Sequence, residues 1–180
     1  MKLEKLQFSL YLKFLSCYMH GCPCGFLGDS SRECTCSVAD IRRYIKKISG
    51  PLLDRIDITI SVPRLEYSEI TASGANESSA VVRQRVEEAR SRQLSRLSKY
   101  GLFANSQMGH RQVKTTCKLT SEAQNLLEQV FEKMNLSGRG YDRVLKVART
   151  IADLAGEDKI KAQAVAEAIH LRNNIKENAL

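Results

Sequence analysis

"LSGRGYDRVLKVARTIADLAG", residues 136–156, decides the architecture of the C-terminal half. Ser137 stands where a helix N-cap belongs, because its hydroxyl can accept from a first-turn N–H. Gly156 stands at the other end, where a left-handed residue closes a helix. Between them Leu145, Ala148, Ile151, Ala152 and Ala155 recur at helical spacing and form one apolar stripe. Such a stripe requires other helices to cover it. LTSEAQNLLEQVFEKM predicts one that starts at Thr120 or Ser121, with Ser121 and Gln124 fitting a capping box. A last helix, roughly Lys161 to Arg172, carries Ala164, Val165, Ala168 and Ile169. Upstream, Ser79 to Tyr100 reads as a charged helix with a loose stripe of Val82, Val86, Ala89 and Leu97. Residues 101–118 read as irregular, punctuated by Gly101, Asn105 and Gly109. Four helices after residue 79 predict a compact helical domain.

The N-terminal part is organised differently. HGCPCGFLGDSSRECTC, residues 20–36, is a loop rich in Gly, Ser and Cys. Ser37 caps the next helix, with Asp40 three residues on, and that helix runs through IRRYIKKI until Ser49-Gly50-Pro51 breaks it. In LLDRIDITISVP the period changes to two, placing Ile56, Ile58, Ile60 and Val62 on one face of a predicted strand that Pro63 stops. Residues 64–78 are polar and form a linker. The division is therefore 1–63, 64–78 and 79–180.

The bulk composition excludes several classes. Apolar residues are 43% of 180, enough for a core, while aromatics are 6% and tryptophan is absent. A core of Leu, Ile, Val and Ala helices follows. The net charge of +8 favours anionic partners such as DNA, a nucleotide or an acidic protein, although basic solvated helix faces would produce the same number. The first 19 residues imitate a signal peptide, but Lys13 interrupts the apolar run and no convincing cleavage pattern follows. No stretch reaches the roughly 18 apolar residues that span a bilayer. The expectation is a soluble, cytoplasmic protein without a membrane partner. His20, His110 and His170 lie far apart and show no nucleophile–base spacing, so an independent enzyme has little support.

Two strings in one order carry a resemblance. CPCGFLGD…CTCS…IRRYIKKISGPLLDRIDI, followed by LSGRGYDRVLKVARTIADLAG, resembles the Mg-chelatase-like AAA+ ATPases, in the ComM branch, from about Phe14 to Arg172. The resemblance implies an α/β remnant of a AAA+ core followed by an all-α lid, mainly helical overall. It further implies ring-forming AAA+ subunits as partners, ATP and Mg²⁺ as the family's cofactors, and ATP-driven work on DNA in natural transformation. The chain also departs from the family. The phosphate-holding Walker A pattern G-x-x-x-x-G-K-[ST] is missing. No Walker B strand ending in acidic residues follows either. His20 replaces the sensor asparagine of the M-N-P-C-P-C-G string, and residues 1–13 carry no recognisable motif. A truncated gene product that does not hydrolyse ATP alone is the expectation. The alternative is a stand-alone basic module that binds nucleic acid through Arg83, Arg85, Arg90, Arg92 and Arg96, or one that associates with a ring.

The candidate site residues follow from the same resemblance. Arg55, in GPLLDRID, takes the place of the arginine finger that reaches a neighbour's γ-phosphate; its permanent charge and planar donors suit phosphate. An ordinary pair with Asp54 or Asp57 is the competing reading. Arg139, in the first turn of the helix after Ser137, takes the place of the sensor 2 arginine, with Arg143 one turn later as the other candidate. Cys22, Cys24, Cys34 and Cys36 offer four thiols to a structural zinc ion, although C-x-C is less usual than the C-x₂-C knuckle. A reduced loop without metal is the alternative, and His20 is a conceivable substitute ligand.

Overall fold

The computed structural model describes residues 19–29, 31–48, 55–65, 67–71 and 77–177. The first 18 residues, the expected Ser49-Gly50-Pro51 break with Leu52, Leu53 and Asp54, and residues 72–76 of the linker lie outside these. The chain divides into two compact units, Met1–Lys47 and Ile48–Leu180. Residues 55–65 therefore go with the helical unit.

In the first unit the Ser37 reading holds. Helix α1 spans Val38–Ile45, and Ser37 accepts from the Asp40 N–H at 3.2 Å while its own hydroxyl donates to the Asp40 carboxylate at 2.6 Å. That hydroxyl contact, and the charge of Arg43 behind it, hold the Asp40 carboxyl below its ordinary range.

The second unit is helical. After a short helix α2 (Tyr67–Thr71) come α3 (Ser79–Leu97), α4 (His110–Thr116), α5 (Ser121–Lys133), α6 (Gly138–Leu154) and α7 (Ala162–Glu177). The caps explain the boundaries. Ser78 accepts from Val81 N–H, Thr120 from Ala123 N–H and Ser137 from Gly140 N–H. Thr120, not Ser121, thus caps α5, and the expected Ser121–Gln124 box gives way to it. Gly156 has φ +74°, and the N–H of Glu157 returns to the Ala152 carbonyl at 2.8 Å. This left-handed C′ glycine lets the chain turn sharply out of α6.

Helix α6 is the centre of the unit. It packs against α3, α4 and, most extensively, α7, which also packs on α5. Leu145, Ala148 and Ala152 are buried, with Val144 beside them, whereas Ala155 is exposed at the end of the stripe. From α7, Ala164, Val165 and Ala168 close the core. The small side chains let these helix axes approach closely. A parallel bridge joins Leu119 to Ile160, with Ile160 N–H donating to the Lys118 carbonyl at 2.8 Å, and aligns the starts of α5 and α7.

Two expectations change. The segment 101–118 is not irregular: a 3₁₀ turn at Asn105–Gln107 precedes α4, whose buried Val113 seats it on the core. HRQVKTT has too few apolar residues for a helical period, so tertiary contact makes this helix. The strand expected at Ile56–Val62 is not formed, and no strand occurs among the described residues. Ile58, Ile60 and Val62 are 52, 65 and 80% exposed. Alternation produces a strand only where another strand supplies hydrogen bonds, and here the long-range backbone–backbone contact described is a single bond, from Thr59 N–H to the Leu171 carbonyl at 2.6 Å.

Beneath α3 and α6 lies a buried polar cluster. Asp153 accepts from Arg96 Nη1 (2.9 Å) and Nη2 (2.6 Å), from Arg149 Nε (3.1 Å) and from Asn105 Nδ2 (2.8 Å). Arg149, fully buried, also donates to the carbonyls of Asp158 (2.7 Å) and Glu157. Asn105 is held in turn by Thr150 and, through its N–H, by Gln93. Removing one member of a buried pair strands the other charge, at about 3–5 kcal/mol. Asp153→Ala should lose about that much stability in urea titration. Glu77→Ala, which breaks the exposed Arg85–Glu77 pair, should change it by less than about 1 kcal/mol.

Candidate functional site

A tight turn shapes the first half of the cysteine loop. Gly25 has φ +85° and its N–H donates to the Cys22 carbonyl at 3.2 Å, folding Cys22 and Cys24 onto one side. The second pair, Cys34 and Cys36, precedes the Ser37 cap. The four sulfurs come together, all within 4.8 Å of one another. The Cys22–Cys24, Cys24–Cys34 and Cys22–Cys34 sulfur distances are 3.3, 3.6 and 3.6 Å. These donors could hold a metal ion. His20 is exposed, places its ring against Gly25, and is not among the grouped donors.

The thiols are unequal. The Phe26 N–H, followed by the Cys22 thiol, lowers Cys24 to about 6. At Cys36 the Cys24 N–H pulls downward, but desolvation and the neighbouring sulfurs outweigh it and raise the thiol to about 12. Cys34 is also raised: the Cys36 N–H acts downward there, and desolvation and the adjacent thiols overcome it. Cys24 thus forms a thiolate readily, whereas desolvation and the neighbouring sulfurs make Cys34 and Cys36 resist ionisation beside it.

The arginines separate into distinct roles. Arg143, on α6, donates through Nη1 to the Arg55 carbonyl at 2.9 Å and to the Asp57 carboxylate. The carboxylate that could have paired with Arg55 is therefore engaged by Arg143, and Arg55 itself is exposed. Asp54, the other suggested partner, lies outside the described residues. Arg139 is exposed in the first turn of α6. The structure thus brings Arg143 to the Arg55 segment. Sequence reasoning missed this contact, because a separation of 88 residues leaves no local signal.

Four arginines of α3 have partners, three of them at the surface. Arg85 pairs with Glu77 (2.9 Å), Arg96 with Asp153 (2.6 Å) and Arg92 with Asp158 (3.8 Å), and Arg90 donates to Gln93 (3.2 Å). The buried cluster around Arg149 and Asp153 was also missed. Its one sequence signal is an Arg and an Asp four residues apart within an otherwise apolar stripe.

The model for the C-terminal part of magnesium chelatase subunit ChlI matches residues 76–172, and that for magnesium chelatase subunit ChlI matches residues 4–70, so the family match begins well before Phe14, where the resemblance was expected to start. The chain belongs to the magnesium-chelatase-like family. It is 36% identical over 174 residues to competence protein ComM of Haemophilus influenzae, covering 96% of this chain and 33% of that protein. It is 36% identical over 155 residues to YifB of Escherichia coli, an uncharacterized protein, covering 86% and 29%. An uncharacterized protein of Mycobacterium tuberculosis is 36% identical over 151 residues, covering 84% and 29%. The chain thus spans about a third of the length of these relatives. No described helix is long and apolar enough to cross a membrane.

Thiol reactivity tests the electrostatics of the loop. In the reduced, metal-free chain, iodoacetamide should alkylate Cys24 at a rate that rises with pH around its midpoint near 6, because only the thiolate attacks. Cys117, pushed up to about 11 chiefly by burial, should stay unmodified at neutral pH until the helical unit is unfolded. Peptide mass mapping across a pH series reads both.

Proposed function

We propose that this chain provides the finger and lid of a ComM-type AAA+ ATPase: residues up to 63 correspond to part of the ATPase core, 64–78 to a linker and 79–180 to the helical lid. The two family matches meet between residues 70 and 76, inside that linker, which supports the division. The observation that carries the reading is the pinning of Arg55. Its carbonyl and the adjacent Asp57 are held by Arg143, and its own side chain is exposed. An arginine finger needs that combination: a fixed backbone, so that little entropy is lost on engagement, and a guanidinium able to reach another subunit.

On this reading Arg55 acts in trans on the nucleotide of a neighbouring subunit. There it offsets negative charge growing on the γ-phosphoryl oxygens, a contribution of about 10³ to 10⁵ in rate. Arg143 is a positioning residue rather than the sensor, which leaves Arg139, exposed at the α6 N-terminus, as the sensor 2 residue. Helix N-termini favour phosphate, so the location suits that role. ATP with Mg²⁺ supplies the phosphoryl group in the full-length family. The residues present fit contact with a neighbour's nucleotide; no G-x-x-x-x-G-K-[ST] loop is present to cradle one of the chain's own. The family role is ATP-driven DNA remodelling during transformation, in the cytoplasm, with ring subunits as partners. The commitment of Arg96 to Asp153 in the buried cluster, and the lack of aromatic side chains in α3 for base stacking, count against α3 as a separate DNA-binding face.

The purified chain should show no Mg²⁺-dependent ATP turnover. Mixed with full-length ComM of Haemophilus influenzae, it should co-elute in a ring. Arg55→Ala should co-elute equally but lower turnover at the subunit boundaries it occupies by about 10³-fold or more. Arg143→Ala should have a smaller effect in the same direction. Turnover by the isolated chain that survives repurification and disappears in Arg139→Ala would overturn the proposal. Binding to DNA alone with a steep salt dependence, and no association with ring subunits, would favour the basic-module reading instead.

A further inference from the structure

We propose that Cys22, Cys24, Cys34 and Cys36 bind a single structural zinc ion, and that this ion is the principal cross-link of the loop leading into α1. The inference does not rest on the ATPase reading.

Four sulfurs at about 2.3 Å from one zinc ion sit roughly 3.8 Å apart at the corners of a tetrahedron. The observed spacings of 3.3, 3.6 and 3.6 Å, with all four sulfurs inside 4.8 Å, are near that arrangement and need only a slight expansion. They are far from the roughly 2.05 Å of a disulfide. The sulfurs surround a common centre rather than falling into two bonded pairs.

The donor set selects the metal class. Thiolates are soft ligands, so Mg²⁺ and Ca²⁺, which take oxygen, are disfavoured. Four protein ligands complete a tetrahedron and leave no position for water or substrate, which marks a structural ion rather than a catalytic one. On binding, each thiol gives up its proton: one Zn²⁺ and four Cys–SH give one tetrathiolate complex of charge −2 and four H⁺. Arg32, held over the Phe26 ring at 4.2 Å, supplies a cation on the same loop.

The surroundings show why the loop needs such an ion. Among the described residues before 49 only Cys22 is buried, at 1% exposure, and α1 buries none of its residues. A segment of this kind has little apolar burial to set against roughly 1–2 kcal/mol of backbone entropy per ordered residue. Metal ligation is the usual substitute in small units. Cys36 immediately precedes the Ser37 cap, so an ion that fixes Cys36 also fixes where α1 begins.

The full chain, purified under reducing conditions, should contain one zinc per molecule by plasma mass spectrometry. After chelation, titration with Co²⁺ should give thiolate-to-cobalt charge transfer and the intense visible bands of tetrahedral cobalt, displaced by equimolar Zn²⁺. Hydrogen exchange over residues 19–47 should slow on zinc addition, with residues 121–172 unchanged. Cys24→Ser/Cys36→Ser should lose the cobalt spectrum, whereas Cys117→Ser should keep it. Because the wild-type titration stands alone, the test does not depend on the double variant folding. The proposal is overturned if the reduced wild type takes up neither metal, if cobalt binds octahedrally, if the isolated protein holds iron in place of zinc, or if anaerobically purified protein has the mass of a disulfide-bonded chain.

Discussion

The helical unit depends on a carboxylate buried between two guanidinium groups. Asp153 accepts from both Arg96 and Arg149, and Asn105 fills a further acceptor site. An isolated charge in this interior would be prohibitively costly, so every member must be present for any to be tolerated. That requirement fixes geometry more than it adds stability. Arg96 sets the register of α3 on α6, Asn105 sets the 3₁₀ turn, and Arg149 ties down the carbonyls of Glu157 and Asp158 as the chain leaves α6. Apolar side chains such as Leu145 and Ala152 could pack in several neighbouring registers. A bidentate ion pair accepts one.

The same helix carries Arg139 and Arg143 at its other end. With its C-terminal end locked by the polar cluster and its face packed on α7, α6 is a rigid mount for both. Arg143 reaches residues 55–57, and the Thr59–Leu171 bond adds a second attachment to α7. A segment that forms no strand is nonetheless held at two points. In our proposal this is how a finger residue remains exposed without losing its backbone position.

The two units reach stability by different routes. Residues 79–172 bury a continuous apolar core and one polar cluster centred on Asp153. The described part of the first unit buries one cysteine, and its order comes from turns, a helix cap and clustered thiols. In our proposal a metal ion supplies to the first unit what apolar burial supplies to the second, so different interactions maintain order in each.

The helices with strong periodicity and side-chain caps were legible in the sequence. Ser37, Ser137 and Gly156 act locally, so their meaning is contained within a few residues, and the α6 stripe specifies a buried face before any partner is known. The pairing of Cys22, Cys24, Cys34 and Cys36 was legible as a candidate cluster for the same reason of proximity in the chain. Tertiary structure alone decided the rest. Val113 seats an otherwise unpatterned helix, Ile58 to Val62 alternate without becoming a strand, and the partners of Asp153 and Asp57 come from distant segments. Hydrogen bonds within a helix turn are set by adjacent residues, whereas ladder partners, buried counter-charges and the face a helix covers exist only once the chain has closed on itself.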